Sequence, residues 1–286
     1  MAESVSLEAG KVKKVFTFWE PKGSLPGYVQ LCMETWRRCL PGFEVVSLDF
    51  KSLGDYLSAA EIEEISCPHE CLAKQADCIR CVLLWKHGGI WLDADTVLTK
   101  PLDERFSSAD VTMVARHSES GQMIYGGYIH AAGPETKMIS AWHRQLLPRI
   151  EKSRQMNASR LRRWLDRRTW KAVRRWGYFE NDILDPLTAQ LAPPDYAGID
   201  KDEVRAFPEE ALLAAGTARS PFDAYVRYWF SPGEADAALK HCAGLIMLHN
   251  SWTPERFRVL SAKEFLDTDT RLAKLLRALT GEKKWD

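Results

Sequence analysis

Residues 72–101, LAKQADCIRCVLLWKHGGIWLDADTVLTKP, decide the fold. Apolar residues recur at three- and four-residue intervals through the first half, which is typical of an amphipathic helix. The pair Gly88 and Gly89 predicts the end of that helix, because glycine adopts positive φ without steric cost. The apolar run IWL that follows predicts a short buried strand. This strand ends at Asp93 and Asp95.

Asp93 and Asp95 place two carboxylates one residue apart at the end of a buried strand. Like charges held this close repel each other, and a divalent cation removes the conflict. Mg²⁺ or Mn²⁺ is typically held by one or two carboxylates together with the phosphates of a substrate. The pair is therefore a candidate metal site facing a diphosphate. A strand that ends in a solvated loop explains so short a motif as well.

Residues 76–95 follow the arrangement A-D-x-x-R-x-x-x-L-x-x-x-G-G-I-W-L-D-A-D. This arrangement resembles the core of sugar-transferring enzymes with a DxD motif: the glycosyltransferase family 32 group, which includes capsular-polysaccharide-type transferases, and more distantly the clostridial glucosylating toxins. The sequence departs from the family at Ala76, where serine is common, and at Trp91, where tyrosine is common. Neither departure removes a ligand.

The resemblance implies roles for four side chains. Asp77 and Arg80 are candidate catalytic residues that contact the donor sugar or ribose. Asp93 is expected to bind the ribose or a metal-bound water, and Asp95 the Mn²⁺ or Mg²⁺ itself. From the residues alone, Asp77 and Arg80 lie three apart on a helix and can form a polar pair. An ordinary surface ion pair worth under about 1 kcal/mol is the plain alternative.

Length and composition restrict the class of protein. A chain of 286 residues with zero formal net charge is typical of a globular protein and argues against a wholly basic nucleic-acid binder. No apolar run is long enough to span a bilayer. The start, MAESVSLEAG, lacks the features of a signal peptide. We therefore expect a cytoplasmic protein without a nucleic-acid partner, with candidate peripheral contact at the inner face of the membrane.

Seven cysteines, an odd number, indicate reduced thiols rather than a disulfide scaffold. Cys78 and Cys81 have a zinc-like spacing, and Cys67, His69 and Cys71 lie nearby. Both residues of the pair fall inside the predicted helix, where cysteine is commonly a small buried apolar side chain. The sequence leaves both interpretations open.

The first hundred residues read as a nucleotide-binding α/β half. Residues 12–19 and 43–48 predict strands, and residues 26–40 predict the helix of a parallel crossover between them. Trp19 follows the first strand, where ligands bind in open α/β sheets, so it is a candidate to stack on a nucleobase. No glycine-rich phosphate loop is present, which disfavours kinases and dehydrogenases.

Less specific patterns predict further elements along the chain. They comprise helices at residues 58–65, 141–150 and 263–279 and strands at 111–116 and 121–132, the latter with Gly126 and Gly127 as a bulge or a close backbone approach. Residues 192–223 are expected to form an irregular connection with one or two short strands or helices.

Residues 149–175 carry eleven Lys and Arg side chains against two acidic ones, interleaved with tryptophans and leucines. A basic helix of this kind can lie on an anionic membrane or contact a lipid-linked or polyanionic acceptor. Nucleic-acid contact and a plain solvated basic face are the alternatives.

The stretch YFENDIL at residues 178–184 holds the best candidates to orient donor or acceptor in the C-terminal half. They are Glu180, Asn181 and Asp182, of which Asn181 is assigned to the donor and Asp182 to catalysis. A helix N-terminus explains Asn181 and Asp182 nearly as well.

The stretch GLIMLHNSW at residues 244–252 predicts a strand that delivers polar residues at its end. It resembles the C-terminal H-x-S-W type motif of the family. The resemblance implies that His249 binds the metal or diphosphate and that Ser251 and Trp252 lie over the phosphates. Neutral imidazole is a sound manganese ligand, although a histidine at a strand end is usually structural.

Together these patterns predict one α/β domain of the GT-A (Rossmann-like) type over residues 1–286, with a nucleotide-binding half at 12–100, a basic helical insertion at 149–180 and an acceptor side at 181–286. The expected reaction moves a sugar from a nucleotide-diphosphate donor to a carbohydrate or lipid-linked hydroxyl in bacterial polysaccharide or glycolipid synthesis, and the resemblance implies retention at the anomeric carbon.

Two alternatives belong to other classes. DADTV after an apolar strand also resembles the first motif of haloacid-dehalogenase-type phosphatases, in which Asp93 would attack phosphorus. That alternative leaves Asp77, Arg80, the glycine pair and the HNSW stretch unexplained. The other is a non-catalytic membrane-surface module built on residues 149–175.

Overall fold

A mixed sheet with helices around it forms the centre of the computed structural model, which describes residues 13–118, 121–235 and 242–281. Its six strands are β1 (Lys13–Phe18), β2 (Phe43–Leu48), β3 (Gly89–Leu92), β5 (Val111–Ser118), β6 (Gly121–Ala131) and β7 (Tyr196–Asp200). Their order is β2-β1-β3-β6-β5-β7. Strand β1 is parallel to β2 and β3, and β5 is parallel to β7, whereas β6 is antiparallel to β3 and β5. The predicted α/β class with a mostly parallel sheet is confirmed.

The helices and a small second sheet complete the described chain. The helices are α1 (Gly27–Cys39), α2 (Ala59–Ile65), α3 (Leu72–His87), α4 (Lys137–Ala158), α5 (Arg160–Leu165), α6 (Arg167–Val173), α7 (Asn181–Thr188), α8 (Lys201–Val204), α9 (Glu210–Ala214), α10 (Pro221–Trp229), α11 (Glu255–Arg258), α12 (Ala262–Leu266) and α13 (Arg271–Thr280). Strands β4 (Thr96–Leu98) and β8 (Leu245–Met247) pair antiparallel in the second sheet. In the part of the chain described, no helix has the length and apolar character that crossing a bilayer requires.

The β1-α1-β2 crossover forms as predicted. Strands β1 and β2 are parallel over their full length, from Lys13 opposite Phe43 to Phe18 opposite Leu48. The inner side of α1 is buried, and the indole of Trp36 donates a hydrogen bond of 2.7 Å to the Thr96 carbonyl. The crossover therefore joins the central sheet to the small second sheet.

Helix α3 ends where the glycine pair predicts. Gly88 and Gly89 adopt φ of 65° and 91°. A Cβ at Gly89 would lie 2.6 Å from the Lys14 carbonyl oxygen, so glycine is also needed for the close approach of β3 to β1. The prediction that α3 is amphipathic is wrong. The helix is buried on all sides from Asp77 to Leu84, and Leu72, expected on its buried face, is 44% exposed. The helix lies beneath other elements rather than at the surface.

One other expectation is corrected, and two strands complete the description. Residues 96–98 form β4, which the sequence does not predict. The connection at 192–223 contains β7, one of the short strands expected there, at the edge of the central sheet. The predicted helix at 263–279 is two helices, because the Thr270 hydroxyl accepts a hydrogen bond from the Ala273 amide and begins a new helix there.

The cysteine pair belongs to the core. Cys78 and Cys81 are fully buried in α3, and Cys71 is exposed. Over the described residues, no three His, Cys, Asp or Glu side chains are grouped so that they could hold a metal ion. The structure therefore favours the buried-thiol interpretation over zinc.

Helix α4 is longer than predicted and supports the site described below. It runs to Ala158, and Trp142 and Leu146 on its inner side are fully buried. The Trp142 indole donates a 2.8 Å hydrogen bond to the Phe179 carbonyl, which fixes the backbone next to Glu180.

We expect Trp142→Ala to lower the free energy of unfolding by about 3–5 kcal/mol, because it leaves a cavity and an unpaired buried carbonyl. Trp164→Ala is the matched control, since Trp164 is 64% exposed and its loss should change stability by no more than about 0.5 kcal/mol. Urea denaturation followed by circular dichroism measures both. Equal effects of the two substitutions would contradict the described packing of α4.

Candidate active site

A cleft of about 340 Å³ opens where β1 and β3 end, as expected for an α/β sheet. It collects most of the site residues that the sequence predicts. Those that line it are Trp19, Asp77, Arg80, Asp93, Asp95, Asn181 and His249. Residues from both halves of the chain therefore meet at one edge of the sheet.

The Arg80 guanidinium is the centre of the cleft wall. Its Nη1 donates to the Gly126 carbonyl at 2.6 Å and to Oε1 of Glu180 at 2.8 Å. Its Nη2 donates to Oδ1 of Asp77 and to Oδ1 of Asp93, each at 3.2 Å. Arg80 is 4% exposed. The surface ion pair considered from sequence is thus a buried cluster of one cation and three carboxylates.

Burial raises the pKa of two of these carboxyl groups. The pKa of Asp77 lies well above its usual range because of burial first and the nearby Glu180 carboxylate second. Burial also raises the pKa of Glu180, while the Arg80 guanidinium acts in the opposite direction. Both groups are therefore harder to ionise than an exposed carboxyl group.

Gly126 permits this cluster to form. A Cβ at Gly126 would lie 1.6 Å from Oε1 of Glu180 and 2.0 Å from Nη1 of Arg80. At the next residue, the Gly127 carbonyl accepts a 3.0 Å hydrogen bond from the Asp93 amide. The structure supports both explanations offered by the sequence. The pairing of β5 with β6 shifts from Met113 opposite Ile129 to Val114 opposite Tyr125, so the two glycines lie in a bulge of β6 as well as at a close backbone approach.

Asp93 and Asp95 differ in their surroundings. Oδ1 of Asp93 accepts hydrogen bonds from Arg80 and, at 2.8 Å, from the Trp91 indole, while its side chain remains 42% exposed. Oδ2 of Asp95 accepts a 2.7 Å hydrogen bond from the Asn250 amide. Burial, followed by the nearby Asp93 carboxylate, raises the pKa of Asp95 to about 7. A cation beside the pair would relieve this strain.

The pairing of β8 with β4 brings the C-terminal stretch to the acidic turn. Met247 lies opposite Thr96, so His249 and Asn250 arrive next to Asp95. The Tyr28 hydroxyl holds Asn250 by donating to its Oδ1 at 2.7 Å. The β4–β8 pairing is therefore the physical reason why the C-terminal HNSW stretch and the turn at Asp93 and Asp95 lie in one site.

His249 is enclosed by aromatic rings. Its imidazole stacks on Phe207 with 5.5 Å between ring centroids, and Trp252 packs on it at 4.3 Å. Burial lowers the pKa of His249 to about 4, although Asp93 acts in the opposite direction. The imidazole is therefore neutral near pH 7, the form that can ligate a metal.

The donor set fits a divalent cation that a substrate helps to hold. Asp93 and Asp95 supply hard oxygen ligands on one wall, which suits Mg²⁺ or Mn²⁺ completed by phosphates. No cluster of three ligating His, Cys, Asp or Glu side chains is found in residues 13–118, 121–235 and 242–281. Metal binding by Asp93, Asp95 and His249 stays a prediction.

Three predicted residues lie elsewhere. Asp182 does not line the cleft and forms an ion pair with Arg175 at 2.6 Å. Ser251 is exposed, and Trp252 lies behind His249; neither lines the cleft. Asn181 does line it, but its amide also donates a 2.7 Å hydrogen bond to the Ile124 carbonyl.

The sequence does not single out two residues that the structure places in the site. Glu180 contacts Arg80, whereas the sequence assigns its neighbours Asn181 and Asp182 instead. Asn250 contacts Asp95, although the HNSW stretch gives no sign of that role. Both are polar residues in predicted site stretches, and only the packing distinguishes them from their neighbours.

We expect Gly126→Ala to lower the free energy of unfolding by about 1–3 kcal/mol or more. The added methyl group overlaps Arg80 and Glu180 and must break up the buried cluster. Gly54→Ala is the matched control, since a Cβ there meets nothing within 4 Å. Thermal and urea unfolding measure the difference. A neutral Gly126→Ala would show that the carboxylate cluster is not packed as described.

Comparison with known proteins supplies the family. A family model described as "Capsular polysaccharide synthesis protein" matches residues 2–156. Among solved structures, "PaToxG Glycosyltransferase" is 10% identical with a TM-score of 0.40, over 94% of this chain and 86% of its own. An active-site mutant of LgtC is 10% identical with a TM-score of 0.41, over 88% and 93% respectively. A search of curated proteins finds no match. Since the family model covers more than half of the chain, the protein belongs to the capsular polysaccharide synthesis family.

Proposed function

We propose that this member of the capsular polysaccharide synthesis family is a GT-A type glycosyltransferase. It transfers a sugar from a nucleotide-diphosphate donor to a hydroxyl of a carbohydrate or lipid-linked acceptor. The observation that carries the proposal is the buried Arg80 cluster beside the Asp93 and Asp95 pair, in a cleft at the ends of β1 and β3. A site of this kind can orient a polar donor before any reaction begins.

The charge of the cleft indicates how a diphosphate would enter. Among the described residues that line it, Arg80 is the one positively charged side chain, since His249 is neutral near pH 7. Asp93, Asp95 and Glu180 contribute carboxylates to the same walls. A diphosphate anion would be repelled by this set unless a cation accompanied it.

Mn²⁺ or Mg²⁺ is the cation proposed, held by Asp93 and Asp95 with His249 as a further candidate ligand. When bound, it would supply a Lewis acid that offsets charge on the departing diphosphate. The protein's own part is to hold the two carboxylates in place, through the Asn250 amide on Asp95 and the Trp91 indole on Asp93.

The donor contacts are assigned from the lining of the cleft. Trp19 lies directly after β1 and lines the cleft, and we assign it to stacking on the nucleobase. Asp77 and Arg80 are assigned to the donor sugar or ribose. The Nε–H of Arg80 is buried and has no hydrogen-bond partner among the described residues.

The phosphatase alternative finds no support in this geometry. It requires the Asp93 carboxylate to attack phosphorus, whereas one oxygen of Asp93 accepts hydrogen bonds from both Arg80 and Trp91. Such bonds withdraw charge from the carboxylate and make it a weaker nucleophile.

We expect slow hydrolysis of at least one nucleotide-diphosphate sugar in a panel of donors, dependent on Mn²⁺ or Mg²⁺ and abolished by EDTA. Asp95→Asn and Asp93→Asn should each reduce the rate by about 100-fold or more, because each removes charge that holds the cation. Asp267→Asn, an exposed aspartate on the surface, should leave it unchanged. Full activity in EDTA would contradict the role of the metal.

Retention at the anomeric carbon is the second expected outcome. We expect the first-formed product to keep the anomeric configuration of the donor sugar, as the family resemblance implies. NMR of the initial product, recorded before mutarotation, distinguishes the two anomers. An inverted first product would exclude the retaining assignment while leaving sugar transfer itself intact.

A further inference from the structure

Helix α5 presents an apolar face that no described part of the chain covers. Leu161, Trp164 and Leu165 occupy positions i, i+3 and i+4, so they lie on one side of the helix. Their exposed fractions are 64%, 64% and 67%. Single exposed apolar residues are common, but three large ones on one helix face mark an interaction surface.

Positively charged side chains surround this face. Five basic residues of the two short helices and their junctions are exposed and form no ion pair among the described residues: Arg160, Arg162, Arg167, Arg168 and Lys171. Other basic residues nearby have structural contacts instead. Arg154 donates to the Ser66 carbonyl at 3.0 Å, and Arg163 and Arg174 lie over the Trp170 ring.

The helix that follows α5 is attached to the core. Lys74, in the buried helix α3, donates a 2.8 Å hydrogen bond to the Val173 carbonyl at the end of α6. Val173 itself is 1% exposed. The end of α6 is therefore anchored to α3, the helix that lines the cleft.

Trp176 adds an exposed aromatic side chain at the cleft. It is 68% exposed and follows α6, and it also lines the cleft that holds Arg80 and Asp95. A molecule that contacts Trp176 would consequently lie at the proposed reaction site.

We infer that Leu161, Trp164 and Leu165, here named the α5 face, dock together with the five basic side chains on a membrane of anionic lipids. Aliphatic and indole side chains enter the boundary between headgroups and acyl chains, and the Arg and Lys side chains bind lipid phosphates. A soluble polyanionic polysaccharide would satisfy the charges but would leave Leu161 and Leu165 in water. In combination with the proposed sugar transfer, on which this step rests, the acceptor is lipid-linked and enters past Trp176.

The test is cosedimentation of the full chain with vesicles of phosphatidylcholine, with and without phosphatidylglycerol. Wild type should bind the anionic vesicles and not the neutral ones. The triple variant Leu161→Ser, Trp164→Ser and Leu165→Ser should bind at least about tenfold more weakly, because it loses the inserted apolar surface. Val259→Ser, which removes an apolar side chain that is 69% exposed elsewhere, is its control and should bind as wild type does.

A second pair of variants tests how much the basic side chains contribute to vesicle binding. Arg160→Gln, Arg167→Gln and Lys171→Gln together should weaken binding by about 100-fold, at about fivefold for each charge near the surface. Lys51→Gln, Lys100→Gln and Lys263→Gln remove the same net charge from other exposed positions and should have a much smaller effect. Circular dichroism verifies that each variant is folded.

Three outcomes would overturn the inference: wild type that does not bind anionic vesicles, serine variants that bind them as wild type does, or dextran sulfate binding that the serine variants retain while vesicle binding is absent. Donor hydrolysis in solution, without vesicles, should be unchanged in all α5 variants. If wild type binds anionic vesicles but hydrolyses none of the donors, the proposed sugar transfer is rejected and the membrane-docking inference is retained.

Discussion

The burial of one guanidinium governs the architecture of the site. Removing the Arg80 charge from water is costly unless carboxylates and carbonyls replace the lost hydration. Asp77, Asp93 and Glu180, together with the Gly126 carbonyl, provide that replacement from four separate elements of the chain. Helix α3, the turn after β3, the middle of β6 and the start of α7 are consequently held in register around a single side chain.

The small β4–β8 sheet adds the second constraint. Its antiparallel register carries the chain from Met247, opposite Thr96, directly to Asn250 beside Asp95. The carboxylate pair thus belongs to two networks, with Asp93 bound to the Arg80 cluster and Asp95 bound to the C-terminal segment. A displacement of either network moves one carboxylate relative to the other, and the spacing that a metal site needs depends on both.

Local signals explain what the sequence predicts well. The α3–Gly–Gly–β3 unit and the β1-α1-β2 crossover depend on helix ends, glycine and β-rich runs that lie within a few residues. The failures arise at longer range. Glu180 contacts Arg80 across 100 positions, and nothing within YFENDIL distinguishes it from Asp182, which turns to Arg175 instead. Likewise, α3 appeared amphipathic because its pattern cannot reveal that α4 and the sheet bury its remaining sides.

The carboxylate excess of the cleft has a consequence for selectivity. Four acidic side chains share the cleft with one arginine, and burial raises the pKa of three of them, Asp77, Asp95 and Glu180. The remaining charge favours cations and disfavours free phosphate or nucleotide. A sugar nucleotide bound together with a divalent cation, as proposed above, would offset this charge and offer hydroxyls to Asp93 and Arg80. The same residues that would hold a sugar nucleotide therefore discriminate against simpler anions, since negative charge alone is repelled from this site.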